Sequence, residues 1–141
     1  MFTKILLAIE GQDHSTKAID YAIQLAKYCD AEVELLHVRE PLTGYNSRVI
    51  YDKFALDEAI EEESKRILAN GEAKLKEAGI KYTAKIIAGD PADVICDEAE
   101  ASQIKLIVMG SRVSSAVSRY VLGRVITKVL NYAPCPVLIV R

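Results

Sequence analysis

Five short apolar runs alternate with segments of helical period, and this alternation limits the chain to one broad architecture. The first run, Lys4-Ile5-Leu6-Leu7-Ala8-Ile9, is nearly continuous in apolar residues, as in a strand buried on both faces. Four more runs read as strands: Glu32–Val38, Tyr82–Ala88, Leu106–Met109 and Val137–Val140. Between them, Ile19, Ala22, Ile23 and Ala26 recur at helical spacing, as do Ile60, Ile67, Leu68 and Leu75 in a charged helix from about 53 to 78. A third helix starts at Pro91 and runs to about Ser102, and a fourth spans Val121 to Asn131. Ser15 is the expected N-cap of the first helix, and Gly79 the residue that ends the second. Strands that alternate singly with helices form a parallel sheet covered on both faces, with right-handed crossovers. The expected class is therefore α/β, a single Rossmann-like open sheet. Residues 39–52, with Pro41 and Gly44 and no period, read as a mobile loop in which Tyr45 and Tyr51 are candidates for a lid or a partner contact.

Length and composition narrow the function classes. The 141 residues fit one domain, and 50% hydrophobic with 27% charged residues is ordinary for a soluble globular protein. A net charge of −2 speaks against general nucleic-acid binding. No apolar run reaches the roughly 20 residues of a membrane span, and the first residues lack the pattern of a secretory signal, so a cytoplasmic location is expected. Cys29, Cys96 and Cys135 are widely spaced and read as buried small hydrophobes in a reducing compartment. His14 and His37 have no Cys or Asp partner at ligand spacing, so no metal site is expected; His37 reads as a hydrogen-bonded interior residue.

Chemistry concentrates between Met109 and Thr127. There an apolar run ends at Gly110, a Ser/Arg-rich loop follows, and Gly123 stands just inside the last helical segment. Strand, glycine, polar loop and helix start present free N–H groups and a helix dipole to an anion. Charge points to the same place: residues 1–100 carry 12 Lys/Arg and 20 Asp/Glu, whereas residues 101–141 carry 6 Lys/Arg and no Asp/Glu. Ligands of such sheets bind beyond the carboxyl ends of the strands where the strand order reverses, which directs attention to Ile9-Glu10, Val38-Arg39 and Met109-Gly110.

With these motifs in view, the whole chain resembles a small single-domain member of the universal stress protein family. The likeness rests on I-L-L-A-I-E-G-Q-D-H-S-T-K-A-I at the start, L-L-H-V after the first helix, the G-D-P-A-D-V-I turn, and A-P-C-P-V-L-I-V at the end. It implies strand order 3-2-1-4-5, in the adenine-nucleotide α-hydrolase-like variant of the Rossmann-like architecture. It also implies a site for ATP or another adenine nucleotide, with Mg2+ if the nucleotide is ATP. The residues implied are Ala8, Ile9, Glu10, Val38, Met109, Gly110, Ser111, Arg112, Gly123, Arg124, Val125 and Ile126. Gly110 and Gly123 match the first and third glycines of the family's nucleotide loop, while the middle glycine falls on Val113. The loop serine falls on Arg124, the next small hydroxyl residue on Ile126, and the usual aspartate of the first strand tip on Glu10. Valine in a left-handed conformation costs about 1–2 kcal/mol, so the loop at Val113 is expected to differ. Arg124 has two open roles, gripping a phosphate bidentately or filling the pocket by pairing with Glu10.

The resemblance also implies a homodimer through the last strand, since Val137, Leu138, Ile139 and Val140 form an apolar edge guarded only by Arg141. The function it implies is stress-response regulation through a nucleotide-dependent contact with an unidentified protein client. The alternative is a nucleotide-free dimeric scaffold whose loop binds at most a simple anion. No catalytic residues are assigned: hydrolysis of ATP would be slow, with no general base evident beyond Glu10. The S-G-G-x-D-S loop of a related pyrophosphatase is missing.

Overall fold

β1 (Lys4–Ala8) is the middle strand of a five-stranded parallel sheet, and the chain winds outward from it in both directions. The computed structural model describes residues 1–11, 13–41, 53–111 and 123–141. After β1 come α1 (Asp13–Cys29), β2 (Glu32–Arg39), α2 (Lys53–Glu77), β3 (Tyr82–Ala88), α3 (Pro91–Ala101), β4 (Leu106–Gly110), α4 (Arg124–Tyr132) and β5 (Val137–Val140). The order is β3-β2-β1-β4-β5, as expected. The register pairs Leu6 with Glu34 and Ile107, and Ala8 with Leu36 and Met109.

Alternation along the strands divides the core between two faces. Ile5, Leu7, Val33 and Leu35 pack with α1 and α2, while Leu6, Leu36, Ile107 and Met109 pack with α3 and α4. Leu6, Leu7, Leu35 and Leu36 are fully buried, each stabilising the fold by about 1.5–3 kcal/mol. On α2, Ser64, Ile67, Gly71 and Leu75 form the buried stripe. Gly71 permits a close approach, since a Cβ there would lie 2.9 Å from both Ile9 Cδ1 and Leu35 Cδ2.

Helix ends show where local chemistry was legible and where it was not. Gly79 closes α2 as expected: its N–H donates to Lys76 O and that of Ile80 to Leu75 O, the two bonds of a Schellman cap. The α3 end is built alike, but with Gln103 in the left-handed conformation at φ 55°. Ser15 is not the N-cap of α1; it lies inside the helix, and its hydroxyl accepts the Glu10 N–H at 3.1 Å. The last helix starts at Arg124 rather than Val121, because Gly123 at φ 88° is its N-cap. β2 runs through Arg39, one residue into the segment read as a loop. The rest of that segment from 42 to 52, with Tyr45 and Tyr51, lies outside the described residues, as do Arg112 and Val113. The three cysteines are free and half-buried rather than buried.

Gly11, in the turn between β1 and α1, has φ 79°, and a Cβ there would lie 2.5 Å from Ile67 Cγ1. Gly11→Ala therefore combines a left-handed alanine with overpacking against α2. We expect a loss of about 2–4 kcal/mol, read as a lower urea midpoint at unchanged m.

Candidate functional site

A cavity of about 270 Å³ opens at the carboxyl ends of β1, β2 and β4. It lies beside the boundary between β1 and β4, where the strand order reverses. Ala8, Ile9 and Glu10 line it from the β1 tip, Val38 from β2, and Met109 and Gly110 from β4. These six residues, separated by as much as a hundred positions in sequence, were all expected at the site. Pro91 and Ile95 add an apolar wall from α3; they stand four residues apart and so share a helix face. Ser15, Leu36, His37 and Glu40 complete the described part of the lining. None of these six additions was assigned from sequence. The G-D-P-A-D-V-I turn and the L-L-H-V segment nevertheless contained Pro91, Ile95, Leu36 and His37.

Backbone groups at the β1 tip are held by specific bonds. The Ile9 N–H donates to Leu36 O at 3.0 Å, extending the β1–β2 ladder beyond the strand. The His37 ring lies with Nδ1 2.9 Å from the carbonyl oxygen of Ile9. A carbonyl only accepts, so Nδ1 carries a proton, and the tautomer compatible with this bond has its lone pair on Nε2. His37 is buried, as expected of an interior hydrogen-bonded residue. With Ser15 on the Glu10 N–H, two side chains from different elements fix the backbone on which a ligand would rest.

The α4 terminus is organised differently. Gly123 has no side chain to cap α4, and among the described residues no side chain accepts from the first N–H groups of this helix. Arg124, at the first helical position, is exposed. No ion pair joins it to Glu10 among the described residues; its charge acts on Asp90 instead. Asp90 caps α3 by accepting the Asp93 N–H at 3.1 Å, and Lys128 of α4 bridges to Asp90 at 3.3 Å and Asp93 at 2.8 Å. The Asp93 N–H first, then Lys128 and Arg124, hold the Asp90 carboxyl below its usual range. The α3 and α4 N-termini are thereby tied side by side.

Two expected site residues contribute less than their positions suggested. Ile126 is buried in the α3/α4 core, so only its backbone faces the helix start. The Ser111 N–H is taken by Val140 O at 2.8 Å and anchors β5 instead of standing free for an anion. Gly123, Arg124 and Val125 gather at the α4 start, outside the described lining of the cavity. Among the described residues no group of three or more His, Cys, Asp or Glu converges as a metal cage.

Comparison with known proteins places the chain. The sequence profile described as the Universal stress protein family matches residues 1–141. Universal stress protein YxiE of Bacillus subtilis (strain 168) is 39% identical over 148 residues, with both chains covered in full. A universal stress protein of Thermus aquaticus is 35% identical over 141 residues, again with full coverage of both. Hypothetical protein MJ0577, solved as a test case of structural genomics, superposes with a TM-score of 0.82 at 27% identity, covering 99% of this chain and 96% of its own. The chain belongs to the universal stress protein family. An Arabidopsis thaliana member solved with AMP bound shares the fold at a TM-score of 0.73 and 23% identity, covering 98% of this chain and 90% of its own.

The His37–Ile9 bond yields a direct test. In the neutral form, long-range nitrogen–proton NMR should show His37 as the Nδ1–H tautomer. His37→Asn, whose amide nitrogen reaches the Nδ1 position, should cost less stability than His37→Gln, by about 1 kcal/mol. Equal losses would show that the bond to Ile9 does not hold the tip.

Proposed function

We propose that this chain binds an adenine nucleotide at the strand tips and acts as a nucleotide-responsive regulator in the stress response. One observation carries the reading: a cavity walled by Ile9, Val38, Pro91, Ile95 and Met109 opens at the strand tips. Its size and aliphatic walls suit a flat heterocycle with its sugar. Glu10, at the rim, is placed to accept from ribose hydroxyls, and Val38 offers main-chain groups to a base edge. The phosphates would lie toward Gly110 and the α4 start, where N–H groups, the helix dipole and Arg124 favour negative charge. Glu10 and Glu40 on the cavity lining suit a hard cation through oxygen, so Mg2+ would enter with ATP and lessen their repulsion of the phosphates. Neighbours solved with AMP and in complex with cAMP support the adenine part of this reading. The consequence of binding is a change of conformation or partner, with at most slow hydrolysis of ATP.

The purified protein, once denatured, should release an adenine nucleotide detectable by chromatography. Added ATP at ten times its Kd should stabilise the fold by about 1.4 kcal/mol, roughly 4–6 °C in Tm. Ile95→Trp fills the cavity and should abolish that shift while leaving the fold intact. Absence of both released nucleotide and thermal shift, with ATP and with AMP, overturns the reading in favour of the nucleotide-free scaffold.

The same reading includes a homodimer through β5. This strand pairs only with β4 among the described residues, and Val137, Leu138 and Ile139 are half-buried on an open edge. Pairing with β5 of a second copy would satisfy that edge. Sedimentation at tens of micromolar protein should give a dimer, and Ile139→Pro, which removes a ladder donor, should give a monomer. A wild-type monomer at that concentration sinks the proposal.

A further inference from the structure

On the α3 side of the sheet, away from the strand tips, Glu34 of β2 is 3% exposed and points into a region otherwise packed with apolar residues. Its Oε1 lies 3.7 Å from Lys85 Nζ of β3, and its Oε2 meets no hydrogen-bond donor. Lys85 is committed more closely elsewhere, to Glu98 of α3 at 2.6 Å. The remaining groups around Glu34 are the Ser102 side chain at the α3 end and, from β1, Lys4, whose ammonium donates to Ser102 O at 2.9 Å. The Glu34 and Glu98 carboxyls thus converge on one ammonium, at 3.7 Å and 2.6 Å. A buried carboxylate whose second oxygen meets no donor is relieved by taking up a proton, which also removes its repulsion of a neighbouring carboxylate. One lysine cannot neutralise both, and burying an unpaired carboxylate is costly.

We propose that Glu34, Glu98 and Lys85 form a proton-holding latch. A proton held on the Glu34 carboxyl seats α3 on β2, and its loss loosens α3 together with the cavity wall formed by Pro91 and Ile95. The latch and the cavity occupy the same two elements. β2 carries Glu34 and, two to four residues on, Leu36 and Val38 of the cavity; α3 carries Ile95 one turn before Glu98. Burial first, then the neighbouring Glu98 carboxyl, push Glu34 up to about 7, with Lys85 opposing. For Glu98 burial acts upward, but the neighbouring Glu34 and the Lys85 ammonium bring it below its usual range, so Glu34 is the group of the pair that takes up the proton. The folded state therefore binds this proton more tightly than the unfolded chain. Its stabilisation is complete below the ordinary value of 4.5 and is lost as pH rises through about 7. The lowered Glu98 acts in the opposite sense, at more acid pH.

The link to the cavity rests on the nucleotide reading, whereas the latch does not. Carboxyl-carbon NMR of the ligand-free protein should show one glutamate titrating near pH 7 that is missing in Glu34→Gln. Glu98→Gln, which removes the like charge, should move that titration to lower pH, and Lys85→Met should move it higher. These two variants carry the test if Glu34→Gln does not fold. Above about pH 7, exchange of the α3 amides, corrected for intrinsic rate, should accelerate in the wild type but not in Glu34→Gln. Between about pH 6 and pH 8, ATP affinity should fall on the order of fivefold more in the wild type than in Glu34→Gln. A glutamate signal that never titrates above about pH 6, or that persists in Glu34→Gln, overturns the latch. A titrating Glu34 with pH-independent α3 exchange overturns its coupling to the helix. If the titration and exchange behave as expected and no nucleotide binds under any condition, the latch stands and the nucleotide reading fails.

Discussion

Burial of β1 on both faces and both edges is the constraint from which the rest of this structure follows. Its backbone can satisfy its hydrogen bonds only by pairing with β2 on one side and β4 on the other. Parallel pairing then requires a crossover for each neighbour, and the crossovers place α1 and α2 on one face and α3 and α4 on the other. Because the chain leaves β1 toward β2 and later returns to its other edge with β4, the connections diverge at the carboxyl ends of these strands. That divergence leaves the cavity. No residue had to be selected to create the space, only to line it.

The lining shows how local bonds turn a topological gap into a defined surface. Ile9 and Glu10 lie just past the end of β1, where a strand would ordinarily fray. They are held by Leu36 through the backbone, by His37 through its ring and by Ser15 through its hydroxyl. The α3 wall is fixed by its own cap at Asp90, which also receives Lys128 from α4. The starts of α3 and α4 are thus oriented by one exposed ion cluster, which contributes geometry more than stability. Between β2, β3 and α3, the Glu34–Lys85–Glu98 cluster places a titratable group where an apolar residue would pack more simply.

Much of the fold was legible because periodicity reports burial directly. The five strands, the four helices and Gly79 as a helix stop were all readable from residue pattern. The errors fell at helix starts, where the pattern carries less information. Ser15 has the chemistry of an N-cap, but a tertiary partner, the Glu10 N–H, took its hydroxyl. Val121 and Leu122 extended an apolar period past Gly123, and periodicity does not register a left-handed residue. At the site, the strand-tip residues were foreseen because topology alone locates them. Pro91, Ile95, His37 and Ser15 were not, because their role depends on which helix lies over which strand. Arg124 was legible as a cation and illegible as a contact: its pull on Asp90 exists only because α3 and α4 lie side by side.

The sequence by itself determined a parallel α/β sheet, the family to which the chain belongs, and the strand ends where a ligand would sit. These follow from apolar period, glycine position and motif spacing, all of which are local along the chain. Tertiary structure decided which side chains line the cavity and that the Ser111 N–H is spent on β5. It also decided that Glu34, unremarkable among twenty acidic residues, is buried and shares its lysine with a second carboxyl. Such properties depend on distance and on exclusion of water between elements far apart in sequence, and a linear pattern encodes neither.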